Sequence, residues 1–131
     1  MSKSYTFLKE CGIFYLLTVD ANKPQGRPFG AVMEIDNVLY ISTAVGKDVY
    51  KQLKENDCVQ IIALKNGPRE WIRIQGLSEE CYEASLKEKM LEECPMLSKR
   101  FDSASCSYFA LFKIKKTQIT LHTDNGIIDF D

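Results

Sequence analysis

The sequence has little of what marks nucleic-acid-binding, membrane or secreted chains. Basic and acidic residues nearly cancel, since 17 Lys and Arg stand against 18 Asp and Glu, for a net charge of -1. A nucleic-acid backbone is bound by many unopposed cations, so we expect no nucleic-acid partner. No apolar run is long enough to cross a bilayer, and the first residues lack the apolar segment of a signal peptide. We therefore expect no membrane association and a cytoplasmic location.

Residues for direct catalysis or metal binding are also scarce. The five cysteines are odd in number, widely spaced and without a C-x-x-C pair: Cys11, Cys58, Cys81, Cys94 and Cys106. This distribution predicts free thiols in a reducing compartment and no metal site. His122 is the single histidine and is predicted to lie at the surface. With no nucleophile–base pair in view, the catalytic residues are unknown, and any reactivity would come from a cofactor.

The length and the hydrophobic pattern predict one domain over residues 1–131, mainly β. Helices are predicted at residues 5–11, 47–56 and 79–94. Strands are predicted at residues 13–19, 38–43, 58–64, 70–76, 108–114 and 118–122, with one more that carries Pro28 and ends before residue 36. Pro28 cannot donate to a ladder, which places it at an edge, a bulge or a strand start. Turns are predicted at residues 20–26, 36–37 and 66–68, and residues 123–131 are predicted to be a tail.

Six or seven strands with hairpin connections and few helices predict a small antiparallel β-barrel with flanking helices packed outside. Within residues 70–76, strict alternation predicts that Ile72 and Ile74 face one way, and Trp71 and Arg73 the other.

An anion site is predicted where the third predicted strand of this barrel ends and a helix begins. Ser42 and Thr43 lie just before Gly46-Lys47. A lysine in the first turn of a helix is unfavourable by roughly 0.3–1 kcal/mol, unless an anion lies between it and the positive end of the helix dipole. The alternative is a solvated Lys47 that pairs with an acidic neighbour, Asp48 or Glu55. A P-loop is excluded, because Lys47 is not followed by Ser or Thr.

Arg27, Trp71 and Arg73 each have two interpretations. Arg27 is a solvent-facing strand residue or directs its planar fork at a phosphate or a carbonyl-rich ring. Trp71 and Arg73 contact a flat ligand or lie at a subunit interface. These two interpretations of Trp71 and Arg73 are compatible if the ligand lies at the subunit interface.

Ordered segments along nearly the whole chain resemble short members of the pyridoxamine 5′-phosphate oxidase-like family, which are FMN-binding split β-barrels. The segments are Phe7-Leu8-Lys9-Glu10-Cys11-Gly12, Tyr15-Leu16-Leu17-Thr18-Val19-Asp20, Arg27-Pro28-Phe29-Gly30, Tyr40-Ile41-Ser42-Thr43, Lys47-Asp48-Val49-Tyr50 and Glu70-Trp71-Ile72-Arg73-Ile74-Gln75-Gly76.

The resemblance implies a homodimer with FMN at the subunit interface. By resemblance, Arg27, Pro28, Phe29 and Gly30 line the isoalloxazine and ribityl chain, Ser42, Thr43 and Lys47 hold the phosphate, and Trp71 and Arg73 of the partner lie near the flavin. Long members carry an arginine-rich C-terminal segment, whereas residues 123–131 here are acidic, so oxidation of pyridoxamine phosphate is not expected.

Three functions follow from these expectations. The first is an FMN-dependent oxidoreductase that acts on an unknown small molecule. The second is a non-catalytic module that carries or senses a flavin or another flat phosphorylated ligand, because fold alone does not settle function. The third is a partner-binding structural protein with an empty site.

Overall fold

Antiparallel strands make up most of the protein in the computed structural model, which describes residues 1–67 and 69–131. The described strands are β1 Phe14–Asp20, β2 Lys23–Phe29, β3 Met33–Ile35, β4 Val38–Ala44, β5 Cys58–Leu64, β6 Trp71–Cys81, β7 Phe109–Thr123 and β8 Gly126–Asp129. The helices are α1 Lys3–Cys11, α2 Asp48–Glu55 and α3 Ala84–Glu93, with a 3-10 helix at Pro95–Lys99. The mainly β prediction with flanking helices is confirmed.

All eight described strands belong to one sheet. Their hydrogen-bonded order is β2-β1-β5-β6-β7-β4-β3, and β8 pairs with β7. The edge position predicted for Pro28 is confirmed, because β2 ends this order. The single strand predicted to carry Pro28 and end before residue 36 is wrong, because β2 ends at Phe29 and pairs with β1, and β3 begins at Met33 and pairs with β4. The hairpin at residues 36–37 is also confirmed: Asp36 and Asn37 both have positive φ, 51° and 66°, as a tight primed turn requires.

The long strands β6 and β7 correct three predictions. Residues 108–114 and 118–122 are not two strands, because β7 runs unbroken through them beside β6. Residues 123–131 are not a free tail, because β8 pairs with β7. The predicted helix at residues 79–94 begins only at Ala84, since Glu79–Cys81 extend β6.

A register shift at Gln75/Gly76 lets these long strands stay paired. A Cβ on Gly76 would lie 2.7 Å from Ile114 Cγ2 and 2.9 Å from the Lys115 carbonyl oxygen. Only glycine fits this bulge without displacing β7.

The turns predicted at residues 20–26 and 66–68 have different outcomes. The turn predicted at residues 20–26 is wrong beyond Asn22, because β2 begins at Lys23 and pairs with β1 along its whole length. Strand pairing here overrides the turn propensity of the local sequence. The turn predicted at residues 66–68 includes Pro68, which lies outside the described residues.

Two apolar cores lie on opposite sides of β4. One core gathers Phe14, Leu16, Ile41, Ile61 and Phe112 with the inner faces of α1 and α2. The other packs the sheet against α3 and the 3-10 helix, through residues that include Tyr40, Met90, Leu97, Phe101 and Phe109. The strand β4 is therefore buried on both faces, and its last residues lie where both cores meet the start of α2.

A buried ion cluster joins both ends of the described chain. Lys116 Nζ lies 2.8 Å from Glu34 Oε2 and 3.7 Å from Asp131 Oδ2. Ser2 donates to Glu34, and Ser4 donates to Asp131. Among the described helices, none has the length and apolar character that crossing a membrane requires.

Candidate functional site

A cavity of about 500 Å³ opens where β2 and β4 end and α2 begins. Seven of the nine residues predicted for the site line it: Arg27, Pro28, Phe29, Gly30, Ser42, Thr43 and Lys47. The hairpin between β3 and β4 accounts for this meeting, because it returns the chain from the end of β2 to the end of β4. The volume lies within the roughly 300–1,000 Å³ typical of small-molecule pockets.

The start of α2 forms one wall of the cavity. Lys47 is the N-cap residue, in extended conformation, and its side chain makes no capping hydrogen bond. The first N–H groups of a helix have no partner within the helix, and the dipole adds partial positive charge there. Lys47 and Val49 both line the cavity, so this wall favours an anion.

The alternative interpretation of Lys47 is met in one part only: Lys47 is exposed to solvent, but the predicted ion pair with an acidic neighbour is not formed among the described residues. Within the described residues, the ion pairs closer than 4 Å include none between Lys47 and Asp48 or Glu55. The exposed ammonium group therefore carries an uncompensated charge at the cavity.

The hydroxyl of Ser42 is the clearest sign that the cavity takes a polar ligand. Ser42 is only 9% exposed, and its Oγ has no hydrogen-bond partner among the described residues. Leaving a buried polar atom unsatisfied costs about 1–3 kcal/mol. A ligand oxygen in the cavity would remove that cost if the Ser42 side chain turned toward it.

Arg27 is half-buried and held by its own chain. Its Nη1 donates to Thr18 Oγ1 at 2.8 Å and to the Leu16 carbonyl at 3.2 Å, and its Nη2 donates to Gln52 Oε1 at 2.7 Å. Burial lowers the pKa of Arg27, and the nearby Asp48 carboxylate opposes that shift. The solvent-facing interpretation is therefore wrong, since most of the guanidinium fork is fixed against β1 and α2.

The far wall of the cavity escaped the sequence analysis. The 3-10 helix and the loop after it contribute Met96, Lys99, Arg100, Phe101 and Tyr108. Pro95 does end α3 as predicted, but the chain then turns over the pocket. Phe101 anchors this segment by stacking on Phe109, with ring centroids 4.5 Å apart. The sequence signal that could have revealed this wall is a pair of aromatic residues, Phe101 and Tyr108, on either side of a polar loop.

The lining is strongly cationic. Arg27, Lys47, Lys99 and Arg100 line the cavity, and none of the described lining residues is acidic. Such a concentration of one sign in a concave site attracts anions, although the whole chain is nearly neutral.

Trp71 and Arg73 lie elsewhere, on the outer face of the sheet. The predicted alternation is confirmed, since Ile72 and Ile74 are fully buried on the inner face. Trp71 stacks on His122 with centroids 3.8 Å apart, and Arg73 lies over the Trp71 ring at 5.1 Å. His122 is thus a half-buried stacking partner and not a plain surface residue, because β7 pairs it directly with Trp71.

This outer face is nevertheless continuous with the cavity. Pro28 pairs with Tyr15, Tyr15 with Ile62, and Ile62 with Arg73. Directly paired residues share a face, and strands lie about 4.8 Å apart. Arg73 therefore lies three strands, roughly 14 Å, from the cavity edge.

The fold and the site define a small mainly β domain with a cationic ligand cavity at one end of its sheet. The family model described as pyridoxamine 5′-phosphate oxidase matches residues 3–123, so the chain belongs to this family. The resemblance inferred from the sequence and the split-barrel fold predicted with it are both confirmed.

Solved structures agree with this assignment. A NimC/NimA family protein from Clostridium acetobutylicum is 34% identical, covers 98% of this chain and 90% of its own, and superposes with a TM-score of 0.90. General Stress Protein 26 from Bacillus anthracis is 20% identical over 96% of this chain and 95% of its own, with a TM-score of 0.78. An FAD-binding protein from Mesorhizobium loti is 18% identical over 92% and 94%, with a TM-score of 0.71. The last two show the fold alone. No curated protein matches significantly.

Proposed function

We propose that the cavity binds FMN and that the protein is an FMN-dependent oxidoreductase acting on a small molecule. The observation that carries the proposal is the unpartnered Ser42 hydroxyl, buried beside a cationic helix start. The family match and the flavin named for the Mesorhizobium loti neighbour support a flavin as the ligand.

The residues present fit such a group. Ser42, Thr43, Lys47 and the first amides of α2 would hold the phosphate, with the Arg27 charge nearby. Pro28, Phe29, Gly30 and the apolar side chains of the far wall would line the ring. When bound, FMN would supply the hydride or electron transfer that no pair of the described lining side chains provides.

We further propose that two copies of the chain pair through the outer sheet face. Ile13, Tyr15 and Leu64 are 53%, 50% and 55% exposed there, beside Trp71 and Arg73. Isolated exposed apolar residues are ordinary, but a contiguous group marks an interaction surface. A second copy on this face would bring its Trp71 and Arg73 toward the cavity edge at Pro28.

Sedimentation velocity tests the pairing. We expect a dimer for the wild type and a monomer for Leu64→Glu. Tyr82→Glu, at a residue that is 67% exposed and outside this face, should stay dimeric. A monomeric wild type contradicts the proposed interface.

The visible spectrum of the purified protein and a fluorescence titration of the stripped protein test FMN binding. We expect flavin absorption bands and quenching of FMN fluorescence on binding. A protein that is colourless and leaves FMN fluorescence unchanged contradicts the proposal.

A non-catalytic flavin-binding module is the second candidate. It is favoured by the lining of the cavity. Among the described residues, its titratable side chains are four cations and Tyr108, which offer no acid–base pair. Turnover separates the two functions: reduction of the bound FMN by NADH or NADPH and reoxidation by an acceptor support the enzyme. Bound flavin that no donor reduces supports the module.

A further inference from the structure

A buried polar triad connects three elements behind the cavity wall. Thr18 on β1 donates to Gln52 Oε1 on α2 at 2.6 Å, and Arg27 Nη2 donates to the same oxygen at 2.7 Å. Arg27 Nη1 donates to Thr18 Oγ1 at 2.8 Å. Thr18 is 2% exposed and Gln52 8% exposed, so the bond between them is shielded from water, and the two bonds from Arg27 are partly buried.

Gln52 is an unusual residue for its position in α2. It is buried on the inner face of α2 together with Val49 and Leu53, where an amphipathic helix ordinarily carries an apolar residue. A buried amide is costly unless it is hydrogen-bonded. The partners that Gln52 has among the described residues are Thr18 and Arg27, and both are donors, which fixes its oxygen toward them. The polar residue at this position therefore serves to receive Arg27.

The triad also fixes where the charge of Arg27 lies. Gln52 follows the first helical residue, Asp48, by four positions, a rise of about 6 Å along the helix. A guanidinium bonded to Gln52 consequently lies beside the first turns of α2. That is the end of the cavity formed by Ser42 and Lys47.

We propose that Gln52 and Thr18 are positioning residues that hold the Arg27 charge at the phosphate end of the cavity. Through Arg27, they give the site its preference for FMN over riboflavin, the same flavin without the phosphate. This inference rests on the proposed FMN function and deepens it. Gln52 and Thr18 act through Arg27 and do not line the cavity themselves.

Dissociation constants for FMN and for riboflavin, measured by fluorescence titration of stripped protein, test the inference. We expect Gln52→Met to weaken FMN about tenfold and riboflavin less than twofold, since only the phosphate responds to the misplaced charge. Thr18 offers a matched pair: Thr18→Ser keeps the hydroxyl and should stay within twofold of wild type. Thr18→Val removes the hydroxyl at similar volume and should weaken FMN several-fold.

A double-mutant cycle separates positioning from a merely structural role. If Gln52 acts through Arg27, Gln52→Met should have no further effect on FMN affinity once Arg27→Ala is present. Circular dichroism monitors folding of each variant, and the Thr18 pair carries the test if Gln52→Met does not fold.

Two outcomes overturn the inference while leaving FMN binding intact. In one, Gln52→Met weakens FMN and riboflavin equally. In the other, its effect on FMN persists in the Arg27→Ala background. A wild-type protein that binds neither flavin overturns the proposed function itself, and the positioning role with it.

Discussion

Two groups of charged side chains in this protein are arranged in opposite ways. In the ion cluster of Glu34, Lys116 and Asp131, every charge has a partner, and the side chains are 2%, 4% and 9% exposed. Around the cavity, the four cations have no carboxylate within 4 Å among the described residues. The first group is complete without a ligand, whereas the second is not.

The difference distinguishes charges that stabilise the fold from charges that serve a ligand. A buried charge persists only when it is paired, so the cluster must form as the chain folds. Unpaired cations that converge on a concave surface instead leave a favourable place for an anion. An unpartnered hydroxyl alone would not suffice, because Ser78 Oγ also has no hydrogen-bond partner within the described part of the chain yet does not line the cavity. What indicates a ligand site is the combination of a cavity, unpaired cations and the unpartnered Ser42 hydroxyl.

Lys116→Met should have the largest effect on stability. The substitution leaves Glu34 buried without its counter-charge, and removal of one partner from a buried pair costs about 3–5 kcal/mol. The free energy of unfolding from urea titrations measures the loss.

Lys113→Met is the matched control on the same strand. Its ion pair with Glu79 is exposed, with side chains 43% and 71% accessible, and such pairs contribute about 0–1 kcal/mol. Equal losses for the two variants would contradict the structural role assigned to the cluster.

The same cluster should make the fold sensitive to acid. Burial alone would raise the pKa of both Glu34 and Asp131. Hydrogen bonds from Lys116 and Ser2 nevertheless lower the pKa of Glu34 overall. Hydrogen bonds from Ser4 and the charge of Lys116 likewise lower the pKa of Asp131. A carboxyl whose pKa is lowered by folding stabilises the native state above its ordinary pKa. That contribution is lost as the pH falls through the lower, folded value.

Urea unfolding at several pH values below about 5 measures this loss. We expect stability to decline steeply there in the wild type, and less steeply in Glu34→Gln, which cannot titrate at that position. Parallel pH profiles for the two proteins would assign the acid sensitivity to other groups.

The wall of the cavity formed by residues 27–30 and 42–47 could be predicted from sequence because these residues are close along the chain. One hairpin joins the Arg27–Gly30 and Ser42–Lys47 segments, so strand and turn patterns alone bring them together. The ion cluster could not be predicted, because Glu34 and Lys116 lie 82 residues apart and their approach depends on strand order. The far wall was missed for a related reason: Phe101 is held by packing against Phe109, which no periodicity in the loop reveals.

Lys47→Ala should separate binding from stability. Lys47 is exposed, so its removal should change the free energy of unfolding by less than about 0.5 kcal/mol. Loss of a cation beside the phosphate should weaken FMN about tenfold, which corresponds to about 1.4 kcal/mol.

Lys51→Ala, one turn further along α2 and not part of the cavity lining, is the control for Lys47→Ala. It should leave FMN affinity unchanged. If both variants bind FMN as the wild type does, the start of α2 is not the phosphate end.

Ser42→Ala should give the smallest effect and the one most specific to a binding site. Removing a buried hydroxyl that has no partner relieves its desolvation cost, so the ligand-free protein should be as stable as the wild type or up to about 1 kcal/mol more stable. Affinity for FMN should fall several-fold, because the FMN oxygen that would bond the Ser42 hydroxyl then has no hydrogen-bond partner on the protein. Thermal unfolding with and without FMN measures both quantities, since a ligand that binds only the folded state raises its stability. Opposite signs in the two measurements are what a ligand-binding hydroxyl requires, whereas a loss of stability without FMN would mark Ser42 as part of the structural core.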